Sequence, residues 1–314
     1  MRSGVLVLLA AIGAIACAPP QAVAPGRSLP PPPQAAIRVL ILDGQNNHDW
    51  PRVTASLRAT LEDAGLFAVA VTTTPPAGSA PEAWDAWQPD FAAADVVVSN
   101  YNGEAWPTRV QDAFVAFVSA GGGAVMVHAA NNPFPEWVDY NLMIGLGWRD
   151  ADYGDRITID DATGDMIRTP AGVGPGAGHG DAFSFPIKVR RPDHPIMRGL
   201  PPVWMHGTDQ LTHGQRGPAR DITVLDSAYS PPEHGGTGEH EPMTWAIPFG
   251  QGQVVTTMMG HLWADQVEET ANECVGFKTI FTRAVEWVAT GATTIAVPSN
   301  FPTETAVSIG RPVR

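Results

Sequence analysis

The chain has 314 residues, is 44% hydrophobic, and carries Lys+Arg 19 against Asp+Glu 32, a net charge of -13 at pH 7. The length suffices for one large domain with a full core, and the acidity argues against nucleic acid and anionic membrane surfaces as partners. Gly 32 and Pro 30 signal many irregular connections. At the N-terminus Arg2 gives a short positive region, and Val5 to Ile15 form an apolar run too short to span a bilayer. Ala14-Ile15-Ala16-Cys17 resembles a bacterial lipobox, with Ala14 where leucine is usual. Residues 1–16 are therefore expected to be a lipoprotein signal peptide, with Cys17 the lipid-bearing first residue of the mature chain. The Ala/Pro-rich residues 17–35 read as an extended tether. The expected location is the bacterial cell envelope, lipid-anchored and facing the periplasm or exterior. Cys274 is then single, no intramolecular disulfide forms, and its helical surroundings suit a packed thiol.

From residue 36 the pattern alternates strand and helix. Ile37–Leu42 is a near-continuous apolar run, as in a central parallel strand. It ends in a polar loop carrying His48, where Asp49 can cap the next helix and Pro51 suits its first turn. Val53, Leu57, Leu61 and Ala64 give that helix its apolar face, and Gly65 stops it. Strands follow at Phe67–Thr73 and Asp95–Ser99, then a helix at Thr108–Ala120 with Val110, Phe114, Phe117 and Val118 inward. Gly121–Gly123 lead into a short buried strand, Ala124–Val127, that stops at His128. Four strands with intervening crossovers predict a parallel, flavodoxin-like α/β sheet. No GxGxxG or Walker pattern occurs, so no nucleotide is inferred.

The second half is richer in polar loops. Residues 133–145 are expected to be helical, and 148–181 to form a long polar insertion over the sheet edge. A short strand is expected at Val224-Leu225, and two more at Thr244–Ile247 and Val254–Met259, joined by a turn at 248–252. The last of these ends in Gly260-His261-Leu262-Trp263, and a helix over Gly276–Ala289 closes the domain.

Five stretches in order, GGGAVMVHAA at 121–130, DHPIMRGLP at 193–201, Trp-x-His-x-x-Asp at 204–209, GGTGEHEPM at 235–243 and FGQGQVVTTMMGH at 249–261, resemble the ThuA-like, or trehalose-utilisation, family. The resemblance covers roughly residues 37 to 290. It implies a class I glutamine amidotransferase-like fold, a mostly parallel sheet flanked by helices, for a domain spanning 36–291, followed by a C-terminal tail at 292–314. In true amidotransferases the strand matching 124–127 leads to a nucleophilic cysteine, and here His128 stands in its place, so a cysteine amidotransferase is excluded. The resemblance further implies a role in carbohydrate utilisation, on 3-keto-glycosides made by a partner dehydrogenase. Related sequences read Asp-Glu-Leu-Tyr where this chain has Asp209-Gln210-Leu211-Thr212.

His48, His128 and His261 all follow expected strands and so are placed on one rim of the sheet. His206 with Asp209, and His240 with Glu241, are expected on loops closing over it. His128, His261 and Asp209 are the candidate catalytic residues. Candidate substrate contacts are His48, Trp50, Asn100, Asn102, His206, His240 and Glu241. Neutral imidazoles suit a zinc- or iron-type ion, for which His128, His206 and His261 are the expected ligands. A metal-free site with histidine as general base is the other reading of the same residues. His194 is expected to be structural, His213 and His234 solvated, and His179 a rim contact or without a role. Two functions follow: a glycoside-cleaving or isomerising enzyme working by proton abstraction, or a non-catalytic sugar-binding lipoprotein.

Overall fold

The structure, a computed structural model, describes Met1 and residues 36–313. The expected signal peptide, the Cys17 lipidation site and the tether lie outside the described residues. Elements in order are β1 (Ile37–Asp43), α1 (Trp50–Ala64), β2 (Phe67–Thr73), α2 (Pro81–Ala86), β3 (Val96–Ser99), α3 (Thr108–Ser119), β4 (Gly123–Val127), α4 (Val138–Ile144), β5 (Asp155–Ile159), β6 (Met166–Thr169), β7 (Gly178–His179), β8 (Pro186–Val189), β9 (Val203–Met205), β10 (Thr212–His213), β11 (Arg216–Gly217), β12 (Thr223–Tyr229), β13 (His240–Phe249), β14 (Gly252–Thr257), α5 (Thr270–Glu273) and α6 (Val275–Thr290).

The main sheet runs β2-β1-β3-β4-β14-β13-β12-β8-β9. Pairing is parallel from β2 through to β14 and antiparallel beyond it. The order of its parallel part is that of a flavodoxin-like sheet, with β14 taking the place of the fifth strand. Side chains alternate between two cores, because successive residues of a strand face opposite sides. Val39, Ile41, Val96, Val98, Val125 and Val127 join the core under α1 and α6. Leu40, Leu42, Val97, Ala124 and Met126 join the core under α3 and α4. Burial on both faces explains why β1, β3 and β4 read as continuous apolar runs.

The glycine triplet does two jobs. Gly121 takes φ +112° to leave α3, and a Cβ on Gly123 would lie 2.6 Å from Val288 Cγ2 of α6. Close helix-on-sheet packing therefore requires glycine at the start of β4.

Several expectations need correction. Helix α4 occupies only Val138–Ile144, not all of 133–145. The 148–181 stretch is not a plain loop: β5 and β6 form an antiparallel pair joined to the sheet through His240↔Ile159, and β7 pairs with β10. Residues 240–243, expected in a loop, begin the ten-residue strand β13. The segment after α6 is no free tail, because Met205 N–H donates to Thr303 O at 2.8 Å and Val275 N–H to Ser308 O at 2.8 Å. Glu286 also accepts from Thr294 N at 2.7 Å and Ile295 N at 3.1 Å. Contacts across the sheet make residues 36–313 one body.

Asp226 of β12 is fully buried beside Thr244, at an irregularity in the β12–β13 ladder. Burial pushes its carboxyl up to about 7, against the pull of Thr244. The folded chain then keeps a proton that the unfolded chain loses above its ordinary 3.8, so stability falls as pH rises from there through about 7. Asp226→Asn is expected to raise the thermal midpoint at pH 8 and to leave it near wild type at pH 4, read by calorimetry at both pH values.

Candidate active site

Parallel strands deliver three histidines to one rim. The loop after β1 carries His48, β4 stops at His128, and β14 runs on through Gly260 to His261. His128 has φ +48°, a left-handed conformation costly for a residue with a Cβ. Such strain is expected of a tight strand-to-helix elbow, the turn that carries the nucleophilic cysteine in the amidotransferases the resemblance points to. Gly260 takes φ +101°, where L side chains rarely go. The loops are tied together: Asp49 N–H donates to Leu262 O at 2.9 Å, and Arg52 reaches Gln266 O at 2.9 Å and Glu269 at 2.9 Å.

The rings of His48, His128 and His261 meet edge to face. Their centroids lie 4.8 Å apart for His48–His128, 4.9 Å for His48–His261 and 5.2 Å for His128–His261. One ring nitrogen from each lies within 4.8 Å of the others. Trp263 stacks on His48 at 4.5 Å. The tautomers follow from the partners. His128 Nδ1 is 2.7 Å from Met258 O, an acceptor only, so Nδ1 carries the proton and Nε2 the lone pair. His48 Nδ1 donates to Asn46 Oδ1 at 2.9 Å, which again leaves Nε2 bare. His261 Nε2 is buried with no hydrogen-bond partner.

All three imidazoles are held neutral. Burial, then the neighbouring His128 and His261, drives His48 down to about 2. Burial and His128 drive His261 down to about 4. Burial lowers His128 too, against the pull of Asp209.

His48 and His128 line a cavity of ≈ 200 Å³ whose walls also include Asn47, Asn132, Trp148, His179, Gln210, Thr212, Met258 and Trp263; His261 touches both rings without being a wall residue itself. Among the described residues, no aspartate, glutamate or cysteine lines it. His179 Nδ1 lies 3.0 Å from Gly180 O, so Nε2 is its free nitrogen. Thr212 Oγ1 is buried without a partner. Gln210 and Thr212 are the two positions at which this chain departs from the Asp-Glu-Leu-Tyr pattern, and both face the cavity.

The remaining candidates lie elsewhere. His206 and Asp209 form a fully buried pair under the rim, His206 Nε2 donating to Asp209 Oδ2 at 2.8 Å. The same carboxylate oxygen accepts Gly260 N–H at 2.9 Å, and Oδ1 accepts Gln210 N–H at 2.7 Å. Burial works against charge on His206, but the Cys274 thiol and Asp209 outweigh it and raise it to about 10. Burial works to raise Asp209, and His206 holds it low. His206 is thus not a third member of the cluster; His48 is, because the β1 loop folds back over the rim.

His240 lies 3.3 Å from Asp161, and Glu241 pairs with Arg156 and accepts Thr237 Oγ1 at 2.8 Å; both sit on β13, outside the cavity. Asn100 is buried and structural, its Nδ2 donating to Trp50 O and Thr54 Oγ1 at 3.2 Å each. Asn102 donates to Asn47 Oδ1 at 2.7 Å. Trp50 is not among the lining residues; Trp148 and Trp263 are. Trp106 packs in the core. His213 is buried near Ser230 rather than solvated. His194 packs on Trp287 at 4.6 Å, and Cys274 is a free, buried thiol. His179 and Trp148 carried no sequence signal beyond a histidine among glycines, because long-range pairing of β7 with β10 brings that segment to the rim.

The family model for trehalose utilisation, ThuA, matches residues 38–288. Among solved structures, a ThuA-like protein from Parabacteroides merdae is 35% identical, with a TM-score of 0.82 over 87% of this chain and 97% of the other. A ThuA-like protein from Bacteroides uniformis is 16% identical, with a TM-score of 0.50 over 83% of this chain and 95% of the other, a likeness of fold alone. No curated protein matches.

Proposed function

The chain belongs to the trehalose-utilisation (ThuA) family of carbohydrate-utilisation proteins, and on that premise we propose that it is an enzyme acting on a 3-keto-glycoside or a related oxidised sugar. One observation carries the reading: neutral imidazoles meet at a small polar cavity that, among the described residues, no carboxylate and no cysteine lines. The two-carboxylate route to glycoside cleavage and the thioester route are both without their residues there. Proton abstraction by imidazole remains.

A ketone at C3 acidifies the hydrogen at C2. A cavity imidazole accepts that proton. The C2–H electron pair becomes the C1–C2 double bond. The C1–O bond breaks, and its electrons stay on the leaving oxygen, which takes up a proton. Return of the proton to a neighbouring carbon instead gives isomerisation. Asn47, Asn132, Gln210 and Thr212 are placed to bond hydroxyls, and Trp148 and Trp263 to cover the apolar side of a ring. A partner dehydrogenase supplies the ketone in this reading. Lipidation at Cys17 would hold the enzyme at the cell envelope; Cys17→Ala is then expected to move it from the membrane pellet to the soluble fraction on fractionation.

The reading is tested by offering the purified protein a 3-keto-glycoside and its unoxidised parent. Turnover of the ketone alone is expected, since only the ketone acidifies C2. Calorimetric binding without turnover of either would replace the enzyme with a sugar-binding lipoprotein.

A further inference from the structure

Three imidazoles whose ring nitrogens lie within 4.8 Å of one another, at least two of them with a bare Nε2, form an arrangement suited to an electrophile. Two of the three Nδ1 protons are spent on oxygen acceptors, at Met258 O and Asn46 Oδ1, and His261 Nε2 is buried with no partner. No donor side chain among the described residues satisfies these nitrogens. We propose that His48, His128 and His261 bind one divalent transition-metal ion of the zinc class, and that His179 is the imidazole left free to move protons.

The geometry supports this in four ways. An ion with bonds of about 2.1 Å brings three tetrahedral ligands to about 3.4 Å of one another. From 4.8 Å at most, each nitrogen moves inward by less than about 1 Å, within the reach of small ring rotations. His128 directly follows β4, while His48 and His261 sit in the segments after β1 and β14, which Asp49 N–H ties together by donating to Leu262 O at 2.9 Å. Two of the three, His48 and His128, line the cavity, so an ion held by the trio would border it, and three protein ligands with one free position are the pattern of catalytic zinc. The oxygen partners of His128 and His48 do what outer ligands do, fixing tautomer and ring orientation. Asp209 adds a buried carboxylate that pins Gly260, the residue before His261.

Imidazole-only ligation selects zinc, iron, nickel or copper over magnesium and calcium, which prefer oxygen. An ion there supplies Lewis-acid stabilisation of negative charge on a substrate oxygen. His179 lines the same cavity, with Nδ1 against Gly180 O and Nε2 free. It stands outside the ligand set and is the imidazole available to accept the proton.

The inference deepens the sugar reading but rests on ligand geometry, and its test contains no sugar. Protein purified without chelator is dialysed against Zn²⁺ or Co²⁺ and then against metal-free buffer, and its metal is counted by elemental analysis. One ion per chain is expected, with visible ligand-field bands for the cobalt form. His48→Ala, His128→Ala and His261→Ala should each fall to background, while His194→Ala, outside the cavity, keeps the ion. Where a variant does not fold, the wild type itself gives the answer: its thermal midpoint should drop on chelation and recover with Zn²⁺. Wild-type protein that retains no ion, or a folded triple variant that still does, overturns the site. A retained ion with no turnover of any 3-keto-glycoside would sink the sugar reading and leave the metal site standing.

Discussion

Asp209→Ala is expected to lower the stability of the folded chain by about 3–5 kcal/mol, the cost of breaking a buried ion pair by removing one partner. At about 2–4 °C per kcal/mol for a domain of this size, the thermal midpoint should fall by roughly 10 °C. Three donors converge on this carboxylate: His206 Nε2, the Gly260 amide and the Gln210 amide. Alanine orphans all three at a buried position. Asp209→Asn keeps an acceptor oxygen and should lose less. The pH dependence has a defined sign. His206 is raised to about 10 in the folded chain, so its contribution is complete below the ordinary 6.5 and lost as pH rises through about 10. Asp209 is lowered, so its contribution holds above 3.8 and is lost as pH falls through its folded value. Chemical denaturation at several pH values would read both limbs. An Asp209→Ala protein as stable as wild type at pH 7 would remove the pair from its supporting role.

The second large effect is kinetic. His179→Ala is expected to cut kcat on a 3-keto-glycoside by about 10²–10⁴-fold, the usual worth of a positioned general base. The side chain is exposed, so the fold should change by no more than about 0.5 kcal/mol. Metal content should stay at wild-type level. His128→Ala should lose turnover by at least as much, and should lose the ion with it. The contrast separates a proton carrier from a ligand. Steady-state kinetics paired with elemental analysis on the same preparations checks both. Equal turnover by His179→Ala and wild type would return the proton transfer to the trio.

How much of the site was legible depended on distance along the chain. His48, His128 and His261 were readable because each follows a strand whose apolar run is plain in the sequence. Strand ends of a parallel sheet lie together by construction. The placement of His206 in the ligand set failed for a specific reason. Its position near Asp209 in sequence was read as a rim loop, but Gly207 and Asp209 turn it beneath the rim, where the carboxylate takes its Nε2. His240 and Glu241 looked like loop residues in a Gly-rich run, yet ladder bonds to β12 draw them into β13. Their polar atoms are engaged by Asp161 and Arg156 instead of by a ligand. Asn100 and Asn102 sat at a strand end as expected and spent their amides on α1 and on Asn47.

The sequence by itself determined the alternating strands and helices of the first half, the elbow at His128 and the family. These are local properties: apolar period, glycine positions and short motifs. Only the tertiary structure decided which histidines share a cavity, which one is a buried partner of Asp209, and that His179 and Trp148 belong to the site. The physical reason is that convergence at the rim is set by strand pairing across long separations, as between β7 and β10 or β4 and β14, and by which polar atom reaches a buried group first.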